Sequence, residues 1–192
     1  MNPLRKVVHV ASVRNRRTKA DRISAWMDEH GVKTVLMVGA LPTIPGSNTG
    51  IVEEAIMVGR EVKMGIGLLP QPTIPYPYQV ADGRDMPFED DYVDFALSNA
   101  VIEHVGDEAD QRRFVAEHCR VAQSWAITTP NRWFPLEPHT AVLFLHWSAA
   151  WRAKRTEFTR LLSLKEFRDL LPPDAEVTGH WWSPTFTATY SR

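Results

Sequence analysis

Asp82, Asp85 and Asn99 fall within one stretch, Tyr78–Val105, which reads YQVADGRDMPFEDDYVDFALSNAVIEHV. Carboxylates accept hydrogen bonds at several positions and an amide both donates and accepts, so these three side chains suit a polar ligand. Met86, Pro87 and Phe88 lie between them and supply an apolar wall for a planar ring. Histidine titrates near neutrality and is the usual general base. His104 closes the stretch, and His139 and His146 lie further along, near Phe144, Leu145 and Trp147. The histidines show no paired spacing, and the single Cys119 excludes a disulfide framework and a Cys-based zinc cluster, so no metal site is expected.

Such side chains need a scaffold. Tyr78–Ala81 and Tyr92–Ser98 read as short buried strands, each followed by polar residues. In an open parallel sheet ligands settle outside the carboxyl ends of the strands, where the strand order reverses. The flanking sequence supplies the rest of such a sheet. Thr18–His30 carries Ile23, Trp26 and Met27 at helical spacing and is stopped by Gly31. Lys33–Ala40 and Glu61–Leu68 read as further strands, with a helix over 51–58 whose Glu53 and Glu54 sit near its positive end and are expected to be solvated, the alternative being that one of them grips a ligand's hydroxyls from the helix. Ser47 or Asn48 is expected as the cap of that helix. PQPTIPYP, with four prolines in eight residues, cannot be helical and reads as an extended connector. A helix over Asp107–Ala122, a strand at Ser124–Thr129, a capping box from Ser163 to Glu166, and two closing strands near Glu176–Trp182 and Thr185–Tyr190 complete the pattern.

The order of these pieces resembles the class I S-adenosylmethionine-dependent methyltransferases, in particular the small methyltransferase type 11 group. There an Asp-containing turn, a (L/M)PF element, an acidic turn, an FD-type strand and an E-H-V element follow one another as they do here, and TTPNRWFPLEPHT resembles a subset with an altered glycine-rich loop. The resemblance implies an α/β fold, a Rossmann-like, mostly parallel sheet of seven (or six) strands with helices on both faces and a C-terminal antiparallel hairpin. It implies one domain over 1–192, with 134–171 as a helical lid. It implies S-adenosylmethionine as cofactor, with Asp82 accepting from the adenine amino group, Gly83 and Met86 in the same pocket, Gly39 beneath the methionine moiety and Asn99 or Ala100 beside it. Asn48 and Gly67 stand at two further cofactor positions. His104, His139 and His146 are the candidate bases of the transfer. Two features depart from the group's pattern: Leu41 and Pro42 replace the second glycine of the loop, and Gly67 or Leu68 stands where a carboxylate normally grips the ribose hydroxyls.

Composition narrows the partners. A chain of 192 residues fits a single core. A net charge of −1 gives no general attraction to nucleic acid, and the run Arg14, Arg16, Arg17, Lys19 and Arg22 reads as a solvated helix face. No apolar run reaches the length of a membrane span and no signal peptide opens the chain, so a cytoplasmic protein is expected. The implied partner is a small-molecule acceptor, and a homodimer is compatible with the composition. The competing expectation is a protein of this fold without methyl transfer, binding a metabolite or partner or catalysing another reaction.

Overall fold

The computed structural model describes residues 3–42, 50–135, 144, 147–148, 150 and 160–192. Strands β1 (Thr34–Val38), β2 (Glu61–Gly67), β3 (Tyr78–Val80), β4 (Val93–Asn99), β5 (Ala122–Pro130), β6 (Glu176–Thr178) and β7 (Thr185–Ser191) form one seven-stranded sheet in the order β3-β2-β1-β4-β5-β7-β6. The first five strands are parallel; β7 runs antiparallel to both β5 and β6. The expected architecture is therefore present in its seven-stranded form. The order reverses between β1 and β4, which places the ligand crevice at their carboxyl ends.

Both faces of the sheet are covered. Helices α1 (Pro3–Glu29) and α2 (Ile51–Met57) pack Ala20, Ile23, Met27, Val52 and Ile56 on one face, against Val35, Met37, Phe95 and Leu97. Helices α3 (Glu108–Val121) and α4 (Leu164–Leu170) pack Phe114, Val115 and Phe167 on the other, with Trp125 and Phe186. The central strands β1 and β4 are apolar on both sides because both sides are buried, which is why their sequences do not alternate.

Helix α1 begins far earlier than the apolar spacing indicates. Between Leu4 and Met27 there is neither glycine nor proline, so nothing breaks the helix before its apolar stripe starts. At α2 the expected cap is replaced: Gly50, in the left-handed region at φ 90°, occupies the N-cap position. Helices α3 and α4 both carry full capping boxes, Asp107 with Asp110 and Ser163 with Glu166. Strand β6 ends at Thr178, short of the expected Trp182, because Gly179 at φ 112° turns the chain.

Candidate functional site

The carboxyl ends of β1, β2, β3 and β4 share one rim, and each delivers a turn to it. Beyond β1, Gly39 adopts φ 74°, and a Cβ there would lie 2.4 Å from the Val101 side chain. Only glycine permits this close approach of the β1 and β4 turns. Beyond β4, Ala100 also sits in the left-handed region, at φ 58°, a conformation that costs a non-glycine residue about 1 kcal/mol or more. It is held there by its own N–H, which donates to Thr128 O at 3.1 Å and to Thr128 Oγ1 at 3.1 Å.

Asn99, the last residue of β4, is the hub of a polar network at this rim. Its Oδ1 accepts from Lys19 Nζ at 2.7 Å and from Thr128 Oγ1 at 2.8 Å, and its Nδ2 donates to Glu53 Oε1 at 2.8 Å. Lys19 Nζ also donates to Thr128 Oγ1 at 3.3 Å. Four elements thus meet at one amide: α1, α2, β4 and β5. Burial drives the Lys19 ammonium down to about 8, against the opposing pull of Glu53 and Glu103, with Arg16 adding to the fall.

Lys19 is the site residue that sequence reasoning missed. Lys19 reads as one charge in a solvated run, but it stands four and eight residues before Ile23 and Met27, on the stripe that enters the core. That register was the available signal. Glu53 was expected on a solvated face; it is half-buried and bonded to Asn99, while Glu54 is exposed.

The β2 and β3 side of the rim is built differently. The Tyr76 ring and the Tyr78 hydroxyl lie over Gly65 and Gly67, where a Cβ would meet them at 2.6 Å and 2.7 Å. The Tyr78 hydroxyl donates to Leu69 O at 2.6 Å. Burial and the neighbouring Glu53 push the Tyr76 hydroxyl up to about 12. Asp82, after β3, is gripped by Arg84: Oδ1 accepts from the Arg84 backbone N–H at 2.9 Å and Nε at 3.0 Å, and Oδ2 from Nε at 3.0 Å and Nη2 at 2.6 Å. The guanidinium holds the Asp82 carboxyl below its ordinary range, and it pairs with Asp110 as well, at 3.1 Å. Asp85, bridged to Asp82 across the turn, is exposed.

The other expected site residues divide clearly. Gly83 faces the core, where a Cβ would strike the Phe114 ring at 2.6 Å, and Met86 is buried in the same cluster, its N–H donating to Glu117 Oε2 at 2.7 Å. His104 is exposed on a 3-10 turn, Ile102–His104, whereas its neighbour Glu103 is fully buried and accepts from Thr129 Oγ1 at 3.3 Å. Asn48, His139, His146 and most of the expected 134–171 lid lie outside the described residues. Of the loop beyond β5, Trp133, Phe144 and Trp147 are described: Trp147 stands edge-on to both rings, 6.2 Å from Trp133 and 5.0 Å from Phe144. Buried Asn131 supports the loop by donating to Trp181 O and Ser183 O, at 2.6 Å and 2.8 Å. Among the described residues no three or more His, Cys, Asp or Glu side chains gather to hold a metal, and no helix is long and apolar enough to cross a membrane.

Residues 53–126 match a family model described as "Methyltransferase domain". Solved structures share the fold across nearly the whole chain. The PH0226 protein of Pyrococcus horikoshii OT3 is 15% identical with a TM-score of 0.60, the match covering 93% of this chain and 90% of that one. The N-methyltransferase NodS of Bradyrhizobium japonicum WM9 is 12% identical with a TM-score of 0.61, covering 94% and 96%. A 1,6-didemethyltoxoflavin-N1-methyltransferase of Burkholderia thailandensis, solved with 1,6-didemethyltoxoflavin and S-adenosylhomocysteine, is 16% identical with a TM-score of 0.53, covering 92% and 79%. No curated protein matches the chain. Sheet order and these likenesses show the fold that such methyltransferases share, and the family match falls on residues 53–126 of it.

S-adenosylmethionine is the cofactor that the resemblance implies, and the rim fits it unevenly. At the β1 and β4 ends, Gly39 and the Asn99–Ala100 turn hold the backbones close together and leave polar groups at the crevice. At the β2 end, among the described residues, no carboxylate follows the strand; the Tyr78 hydroxyl lies there, with Glu53 reaching the same region from α2.

Proposed function

We propose that the chain transfers a methyl group from S-adenosylmethionine to an oxygen or nitrogen of a small-molecule acceptor, in the cytoplasm. One observation carries this reading: Gly39, Asp82 and the Asn99–Ala100 turn reach a single rim at the reversal of strand order. The cofactor, when bound, supplies an electrophilic methyl on a sulfonium. The chain's own task is to place an acceptor in line with it, because near-attack positioning accounts for much of the rate of such a displacement. Asn99 anchors the methionyl side in this reading and is itself fixed by Lys19, Thr128 and Glu53. Asp82 faces the adenine amino group and shares its acceptor sites with Arg84. His104 stands as the candidate base from within the described residues, with His139 and His146 as the further candidates.

A second reading, a fold without methyl transfer, is favoured by the tyrosines over β2 and by the guanidinium on Asp82, since both occupy positions a nucleoside needs. Titration calorimetry with S-adenosylmethionine and S-adenosylhomocysteine decides between them. Micromolar binding of both, followed by turnover on a panel of hydroxyl, carboxyl and amine acceptors, supports the enzyme. No binding at millimolar ligand removes it.

A further inference from the structure

We infer that Lys19 is a specificity-determining residue whose buried ammonium receives the anionic oxygen of the methyl acceptor, a carboxylate or phenolate, at the carboxyl ends of β4 and β5. The inference rests on the methyltransferase reading above. Lys19 is 8% exposed, and its ammonium sits inside the polar network at the rim. A buried ammonium is stable when an anion compensates it. Here its two partners are neutral oxygens, Asn99 Oδ1 and Thr128 Oγ1. The nearby carboxylates act on it by charge: Glu53 accepts from Asn99 Nδ2, with the amide between it and the lysine, and Glu103 accepts from Thr129 through Oε2. An ammonium has three N–H groups, so beside the bonds to Asn99 and Thr128 one donor remains for a ligand.

Position argues for the acceptor. A nucleoside belongs over β1 to β3, whereas Lys19 crosses to β4 and β5, the strand whose following loop carries the exposed ring of Trp133. An aromatic or apolar body on the loop with an anionic oxygen at the lysine satisfies both features. The chemistry balances without a base: an oxygen lone pair of the acceptor forms the O–CH3 bond as the C–S bond breaks, the bonding pair passes to sulfur, and no proton is lost. The acceptor's negative charge and the sulfonium's positive charge are consumed together.

The test compares wild type with Lys19→Met, which keeps the stem and removes the charge, and Lys19→Arg, which keeps the charge. Each is titrated with S-adenosylhomocysteine and with methylthioadenosine, which lacks the amino-acid carboxylate. Each is then assayed with aromatic carboxylates and phenols beside matched amines. The expected result is a rise of at least tenfold in KM for anionic acceptors in Lys19→Met, larger than any loss of S-adenosylhomocysteine affinity, and partial recovery in Lys19→Arg. Equal effects on anionic and amine acceptors, or turnover with no anionic acceptor, overturns the assignment while cofactor binding leaves the methyltransferase reading standing. Loss of S-adenosylhomocysteine affinity alone, with methylthioadenosine unchanged, also overturns it, by giving Lys19 to the cofactor's carboxylate. Failure of wild type to bind either nucleoside removes the methyltransferase reading and the inference with it. Thermal melting of each variant reports folding, and Lys19→Met is expected to melt no lower than wild type because the buried charge is gone.

Discussion

The two halves of the rim solve the same problem in opposite ways. Over β4 and β5 the chain has assembled a polar network before any ligand arrives, with Asn99 bonded to three side chains from three other elements. Over β2 and β3 it has instead satisfied its polar and steric needs internally: Tyr76 and Tyr78 cover the glycines, and Arg84 engages both oxygens of Asp82. Preorganised groups recognise a ligand at little reorganisation cost, whereas groups already satisfied must exchange one partner for another. In the reading proposed above, affinity on the nucleoside side is set by a competition, and geometry on the acceptor side by a fixed frame.

The largest effect is expected where the frame has its hub. Asn99→Leu removes one acceptor of Lys19 and the donor to Glu53 at once, leaving Lys19 with Thr128 alone and Glu53 without that donor. The expected cost is about 3 kcal/mol of folding stability, read from urea unfolding, since hydrogen bonds to charged groups cost more to lose than a neutral one. Methyl transfer is expected to fall at least a hundredfold in kcat/KM. A variant as stable and as active as wild type would break the contrast between the halves.

The nucleoside half is tested next by a pair of substitutions. Asp82→Ala is expected to weaken S-adenosylmethionine binding more than tenfold, about 1.4 kcal/mol, with the fold intact. Arg84→Met removes the competitor and is expected to leave S-adenosylhomocysteine affinity unchanged or improved. If Arg84→Met weakened binding as much as Asp82→Ala, the ion pair would itself be part of the ligand site, and the competition described here would not exist.

Much of this frame was legible before the structure. Buried runs without alternation at Lys33–Ala40 and Tyr92–Ser98 located β1 and β4, and the polar residues after each run located the rim. Glycine in the VGALP loop marked the turn that the Val101 contact requires. What stayed hidden depends on long-range partners. The burial of Lys19 is set by Asn99 and Thr128, 80 and 109 residues away, and local composition reports only that it belongs to a basic run. Gly83 and Met86 lie in the right turn, but which side of it faces the core is fixed by Phe114 on α3, which the turn's own sequence does not encode. Glu53 was misread for the same reason, because its partner Asn99 lies on another element.

A control outside the rim keeps the pH dependence of activity from being assigned to the site too quickly. His118 on α3 is fully buried; its Nδ1 donates to Phe114 O at 2.7 Å, and Nε2 has no partner among the described residues. Burial drives it down to about 4 from the ordinary 6.5. The folded state thus holds the neutral ring while the unfolded chain takes up a proton at higher pH. Stability is full above about pH 6.5 and is lost as pH falls from there towards 4, by an amount on the order of 2–3 kcal/mol. His118→Leu is expected to flatten that slope in urea titrations at pH 7, 5.5 and 4.5 without altering ligand affinity at neutral pH. An unchanged slope would assign the acid sensitivity to other groups.

The smallest expected effect sharpens the comparison most, because it bears on what has replaced the missing ribose acid. The Tyr78 hydroxyl lies at the carboxyl end of β2, 2.6 Å from Leu69 O, and it is the polar side-chain group nearest a Cβ built at Gly67. If it merely closes the turn, Tyr78→Phe costs a single partly exposed hydrogen bond, well under about 1 kcal/mol, and changes no ligand affinity. If it also serves the ribose, the same variant binds S-adenosylhomocysteine about threefold to fivefold more weakly and loses its discrimination against the 2′-deoxy analogue. We expect the second outcome, since a hydroxyl can turn from a carbonyl to a diol by rotation about one bond, at far lower cost than moving a guanidinium. Equal affinity of Tyr78→Phe and wild type for both analogues would leave the β2 end without any ribose contact from this strand and transfer that role to Glu53.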